Sequence, residues 1–200
     1  MPEIQAAPPL RADARRNRDA LLTAARSVFA ELGLDAPLDA IAKRAGVGRA
    51  TLYRRFPTRD ALIAAIFDDD FAALSEVVAQ ADDPSNAYFD FLEAAMQLQC
   101  DNLGFIELFT RAPNNTDVMD QIDRRWVDAI TGPLAAAQDA GLVRSDLTPE
   151  DTGTMLLMIG AATANLRNAP NGDVRRRRMI ELVFDGADPS RAPRHLPEND

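Results

Sequence analysis

Residues 38–59, LDAIAKRAGVGRATLYRRFPTR, constrain the fold of this chain more than any other stretch, because two short apolar-faced segments separated by glycine can bury their anchors only as two helices meeting at a turn. In the first segment Leu38, Ile41, Ala42 and Ala45 recur at helical spacing and leave Asp39, Lys43 and Arg44 for solvent. Gly46 stands where a left-handed residue is needed to stop the helix. The second segment, from Arg49 to Phe56, sets Leu52 and Phe56 four apart as inward anchors, and its other face carries Arg49, Ala50, Thr51, Tyr53, Arg54 and Arg55. Pro57 ends it, since the residue before a proline is driven out of helical geometry, and Thr58 can cap the next helix with Asp60 in its first turn. A DNA-reading helix-turn-helix needs this division: one side packs on the domain while the other enters the major groove. Two helices and a glycine turn also occur in ordinary bundles, so the flanks decide what the pair is worth.

Upstream, Leu21, Ala25, Val28, Phe29 and Leu32 mark an amphipathic helix that stops at Gly33. Downstream, Leu62, Ile63, Ile66, Phe67, Phe71 and Leu74 continue a long helix from Thr58 towards Gln80. With these flanks, the segment from Arg16 to Phe71, and AGVGRATLYRRFPTRDAL above all, resembles the N-terminal domain of the TetR family of bacterial transcriptional regulators; the likeness covers roughly a quarter of the chain. The resemblance implies that Tyr53 gives its hydroxyl to a phosphate, that Arg55 takes a position where the family often has histidine, and that Arg59, where lysine is usual, meets another phosphate. Gly48 replaces a frequent capping serine, and Pro37 opens its helix without a capping side chain. Arg49, Ala50, Thr51 and Arg54 are the candidates for base edges, with arginine to guanine and the threonine or alanine methyl to thymine as the natural pairings.

The charge distribution agrees. The chain carries −9 overall, yet from Arg11 to Phe67 there are eleven basic against six acidic residues, a net +5 that leaves −14 on the remainder. Charges farther apart than about 8 Å are largely screened at physiological salt, so a basic module can meet phosphates despite an acidic partner. No apolar run approaches the roughly 20 residues that span a bilayer, and MPEIQAAPPL lacks the basic start and apolar core of a signal peptide, so a cytoplasmic protein is expected. Cys100 is the single cysteine and His195 the single histidine, which leaves no disulfide, no metal cluster and no histidine-assisted nucleophile. Acidic residues follow solvent-facing positions without a convergent pair; neither an enzyme nor a cofactor is expected. Cys100 has no Lys, Arg or His within one turn to activate it and reads as a small buried hydrophobe.

The rest of the chain reads as all-α. Residues 1–10 and 186–200 are expected to be disordered tails, 11–57 a helix-turn-helix domain, 58–80 a connecting helix, and 81–185 a helical regulatory and dimerisation domain. A helix capped near Asp83 and Pro84 should carry Phe89, Leu92 and Met96 inward; a short one should run from Leu103 to about Arg111; another, from Asp117 to Ala140, carries Met119, Ile122, Trp126, Val127 and Ile130, with Pro133 expected to kink or split it near Gly132. Thr148, Pro149, Glu150 and Asp151 form a strong helix start. MLLMIGAATANL, 155–166, is apolar around most of its circumference, as a central core helix or a core helix with a subunit interface would be. Arg175 to Arg178 spread around a helix and form no single patch.

The family resemblance implies a homodimer built from the last two long helices, here from Thr148 to Arg167 and from Asp173 to Asp185. It also implies a ligand pocket among the middle helices, for which Phe89, Met96, Phe105, Phe109, Met119, Trp126 and Met155 are the candidate lining, although aromatics and methionines at helical spacing are more often plain core. The combined reading is a homodimeric repressor on an inverted-repeat operator of double-stranded DNA, released by a small apolar or aromatic ligand. A regulator without a ligand, controlled by a protein partner or its own concentration, and an enzyme subunit on the same fold are the alternatives.

Overall fold

The computed structural model describes residues 9–101, 116–166, 169–190 and 196. Among them are eight helices and no strand: α1 (Pro9–Leu32), α2 (Leu38–Arg44), α3 (Arg49–Arg55), α4 (Arg59–Gln80), α5 (Ala87–Asp101), α6 (Thr116–Asp139), α7 (Pro149–Leu166) and α8 (Gly172–Ala187). The expected helix from Leu103 to Arg111, with Phe105 and Phe109, lies outside the described residues, as does the side chain of Cys100. The chain divides into two compact units, Met1–Ile66 and Phe67–Asp200.

In the first unit α1 packs on α2 and α2 on α3. The core is made by Leu21, Leu22, Ala25, Val28 and Phe29 of α1, Ile41 and Ala42 of α2, Leu52 and Phe56, and Leu62, Ile63 and Ile66 at the start of α4. The turn after α2 closes as a Schellman motif: Gly46 has φ +65°, its N–H donates to Lys43 O (3.3 Å), and the N–H of Val47 donates to Ala42 O (3.0 Å). Gly33 ends α1 at φ +79°, with its N–H on Phe29 O at 2.9 Å. The Thr58 hydroxyl accepts from the N–H of Ala61 at 3.0 Å and so starts α4.

In the second unit α5, α6 and α7 pack against one another, and α8 lies on α7. Three features depart from the sequence-based expectations. The inward face of α5 is Tyr88, Phe91, Leu92 and Ala95, while Phe89 and Met96 are only half-buried. The cause is tertiary: the Tyr88 hydroxyl meets Thr152 Oγ1 at 3.3 Å and Phe91 stands edge-on to Trp126 at 5.3 Å, which together turn the helix towards α6 and α7. Pro133 does not split α6. One lost backbone bond is outweighed by Ile130, Leu134 and Ala137, all buried on the same face across the proline. Finally, Pro9 and Leu10 belong to α1, and α8 runs on to Ala187, whose carbonyl accepts from Arg144 N–H at 2.9 Å.

Two glycines test the backbone part of this account. Gly46→Ala adds a methyl that meets nothing within 4 Å, so its whole effect is the left-handed φ, and it should destabilise the protein by about 1–2 kcal/mol. Gly132→Ala, in the exposed interior of α6 and also in open space, should stabilise by about 0.5–1 kcal/mol. Denaturant unfolding followed by circular dichroism measures both, and shifts of the same sign would contradict the assignment.

Candidate nucleic-acid interface and ligand cavity

Helix α3 begins after Gly48, whose extended backbone (φ −61°, ψ 140°) places its carbonyl to accept from Thr51 and Leu52 at 2.9 and 3.2 Å, with no side chain to cap the remaining donors. Leu52 is fully buried. Arg49, Ala50, Tyr53, Arg54 and Arg55 are exposed and Thr51 is half-buried, so all six sequence-derived candidates on this helix are at least partly accessible. Arg49 is not idle there: its Nε sits 2.7 Å from Asp39 Oδ1, and its guanidinium lies 5.8 Å from the centre of the Tyr53 ring. On the other side of α2, Arg44 grips Glu31 through two bonds of 2.6 Å and also reaches Ser27 Oγ at 2.6 Å. Those hydrogen bonds hold the Glu31 carboxyl below the ordinary range, against a smaller upward push from burial. Both pairs are exposed, so they position side chains more than they stabilise the fold.

Arg59, the seventh candidate, is placed differently. Its Nη1 donates to the carbonyls of Leu34 and Ala36 (2.8 Å to the latter), Nη2 reaches Asp35 O at 3.5 Å, and the guanidinium lies 6.0 Å from the centre of the Phe29 ring. A guanidinium has five N–H donors, and here several are committed to the turn between α1 and α2. The sequence offered no sign of this tie, because a carbonyl cluster has no side-chain signature.

The second unit contains a cavity of about 540 Å³ between α4, α5, α6 and α7. Its walls are apolar: Phe67, Phe71 and Leu74 from α4, Ala95 and Leu98 from α5, Ile122, Trp126 and Val127 from α6, and Leu156 and Leu157 from α7. Asp70 and Gln99 are buried and line it too, and the exposed Asp123, Arg124, Asp128 and Glu150 edge it. Burial, and to a lesser degree the charge of Asp120, push the Asp123 carboxyl above its usual value. Trp126 is fixed by its indole N–H, which donates to Pro149 O at 2.8 Å.

Of the five expected lining residues that are described, Trp126 alone reaches this cavity; Phe105 and Phe109 lie outside the described residues. Phe89 and Met96 line a second, more polar space of about 650 Å³ beside α8, where Phe89 meets Phe184 edge-on at 6.1 Å. Met119 and Met155 are half-buried and line neither. The sequence does hold a signal for the two polar residues missed. Asp70 lies three after Phe67 and four before Leu74, and Gln99 lies four after Ala95, so each shares its helix's apolar face. No group of three His, Cys, Asp or Glu among the described residues could hold a metal ion, and no described helix is long and apolar enough to cross a membrane.

The chain is similar to known proteins along most of its length. Residues 21–66 match the family model of bacterial regulatory proteins of the tetR family, and residues 83–189 match that of the SbtR-like transcriptional regulator C-terminal domain. An HTH-type transcriptional regulator of Mycobacterium bovis is 30% identical over 147 residues, covering 72% of this chain and 77% of that one. Among solved structures, a TetR transcriptional regulator from Streptomyces coelicolor is 33% identical, with a TM-score of 0.63 over 86% of this chain and 99% of its own. FadR from Bacillus subtilis in complex with stearoyl-CoA shares the fold at 15% identity, with a TM-score of 0.64 over 84% of this chain and 98% of its own.

The placement of Arg59 separates it from the other arginines by stability alone. Arg59→Ala removes the hydrogen bonds to the carbonyls of Leu34 and Ala36 and should cost about 1–3 kcal/mol. Arg54→Ala removes an exposed side chain and should stay within about 0.5 kcal/mol. Urea unfolding measures the difference; equal effects would mean that the Arg59 contacts contribute nothing.

Proposed function

Because the chain belongs to the TetR family of bacterial transcriptional regulators, we propose that it acts as a homodimeric repressor whose two α3 helices read an inverted-repeat operator and whose release is driven by a small, largely apolar ligand in the α4–α7 cavity. The observation that carries the DNA half of this reading is the exposed face of α3, five accessible residues with three arginines, backed by a fully buried Leu52. Arg49, Arg54 and the methyls of Ala50 and Thr51 have the chemistry to meet base edges, and Tyr53 and Arg55 to meet phosphates. Arg49 must leave Asp39 to do so, a small cost because the pair is exposed. Arg59 contributes by holding the α1–α2 turn, and any phosphate contact it makes is additional to that.

Support for a dimer comes from α7 and α8. Met158 is 54% exposed, Val174 59% and Leu182 69%, large apolar side chains that a second copy would cover. Support for a ligand comes from the cavity, whose size falls within the range of small-molecule sites and argues against the ligand-free alternative. A protein of the same fold, FadR from Bacillus subtilis, was solved in complex with stearoyl-CoA, a molecule with a long acyl chain, which supports a ligand-binding role for this architecture. An effector dissociates the repressor only if it binds the DNA-incompetent arrangement more tightly; a tenfold loss of operator affinity requires about 1.4 kcal/mol of coupling.

Two measurements test the reading. Selection from a random duplex library should return an inverted repeat with half-site centres about one helical turn, roughly 34 Å, or slightly more apart. An asymmetric motif, or no enrichment, would overturn it. Leu182→Glu should leave the monomer folded, because the side chain is already exposed, yet shift sedimentation towards monomer and lower operator affinity with it; an unchanged dimer would place the interface elsewhere.

A further inference from the structure

The α4–α7 cavity has a polar interior that an apolar ligand alone would not use. Gln99 is 7% exposed, lines the cavity, and its Oε1 finds no hydrogen-bond partner in the protein. A buried acceptor without a donor is unfavourable, and it is the kind of group a ligand N–H or O–H satisfies. The amide by itself does not set the sign of the ligand's charge, since rotated end for end it would present donors instead. The surrounding charges do. Among the described residues, the exposed edge of the cavity carries Asp123, Asp128 and Glu150 with one basic residue, Arg124. At that edge an anionic head would meet net repulsion and a cationic head net attraction, both moderated by solvent because these side chains are exposed. Trp126 adds an aromatic ring of the kind that attracts cations as well as hydrocarbons.

We propose that the cavity selects lipophilic cations: an aromatic or polycyclic hydrocarbon carrying a protonated amine, with the hydrocarbon against Phe67, Phe71, Leu74, Ile122 and Trp126 and an ammonium N–H on Gln99 Oε1. This rests on the reading of the cavity as the ligand site and adds the chemical class to it.

Trp126 is the only tryptophan in the chain, so its fluorescence in the full-length protein reports occupancy of this cavity directly. Three probes with one hydrocarbon and different heads, anthracenylmethylammonium, anthracenylmethanol and anthracenecarboxylate, accept energy from tryptophan and can be titrated in parallel at neutral pH. The ammonium probe should bind about tenfold more tightly than the alcohol and more tightly still than the carboxylate. Gln99→Leu should lose about tenfold for the ammonium probe, with folding checked by circular dichroism. The double variant Asp128→Asn, Glu150→Gln alters two exposed residues at the cavity's edge and should narrow the gap between ammonium and carboxylate without disturbing the core. Equal binding of all three heads, or preference for the carboxylate, would overturn the cation assignment while leaving the cavity a ligand site. No change in Trp126 emission with any probe would overturn the ligand site itself.

Discussion

A seven-residue helix cannot stand alone in water: isolated helices shorter than about 12–15 residues are marginal, so α3 exists only because Leu52 and Phe56 are driven into the core of the first unit. Everything that α3 offers outward depends on that anchorage. The helix has no capping side chain at Gly48, and its inner face offers little beyond these two residues. The surroundings therefore do the holding. Gly46 closes the preceding turn in a conformation that residues with a Cβ avoid, and Arg59 binds the α1–α2 turn through its carbonyls. The result is a rigid presentation of arginines by an element with almost no stability of its own.

The second unit meets a different requirement, since a site for a small molecule needs fixed walls with space between them. Trp126 shows how one wall is fixed. Its indole N–H is held by Pro149 O and its ring by Phe91, and Gly153 lets α7 approach so closely that a Cβ there would lie 3.1 Å from the indole nitrogen. Behind it, α7 is started by a reciprocal capping arrangement, in which Asp151 N–H donates to Thr148 Oγ1 at 3.2 Å and Thr148 N–H to Asp151 Oδ2 at 2.9 Å. Hydrogen bonds and caps thus set the positions of α6 and α7 where packing alone would favour closing the gap. Gln99 and Asp70 then lie at a boundary that is apolar in most of its area and polar at chosen points.

Much of this was legible in the residues. The glycines at 33 and 46 were expected to end helices, and each has a positive φ; Thr58 and Thr148 were expected at helix starts, and each accepts a backbone N–H. Leu52 and Phe56 were expected inside, and are. Helix α5 was misread for a definite reason: Tyr88, Phe89, Phe91, Leu92, Ala95 and Met96 make adjacent apolar stripes, and a helix apolar over so wide an arc has no unique inward direction. Its partners chose Tyr88 and Phe91 by offering Thr152 and Trp126.

Local backbone chemistry acts over a few residues, so the sequence by itself determined where the glycine and threonine signals stop and start helices, that the fold is all-α, and which short helix carries the arginines. Contacts between residues far apart in the chain obey no such local rule. Only the tertiary structure decided that Arg59 spends its donors on a turn some 25 residues earlier, that Pro133 is absorbed within α6, and that Gln99 and Asp70 line one cavity with Trp126. Each outcome depends on which surfaces meet, and a one-dimensional pattern records the apolar area available for burial without recording what will cover it.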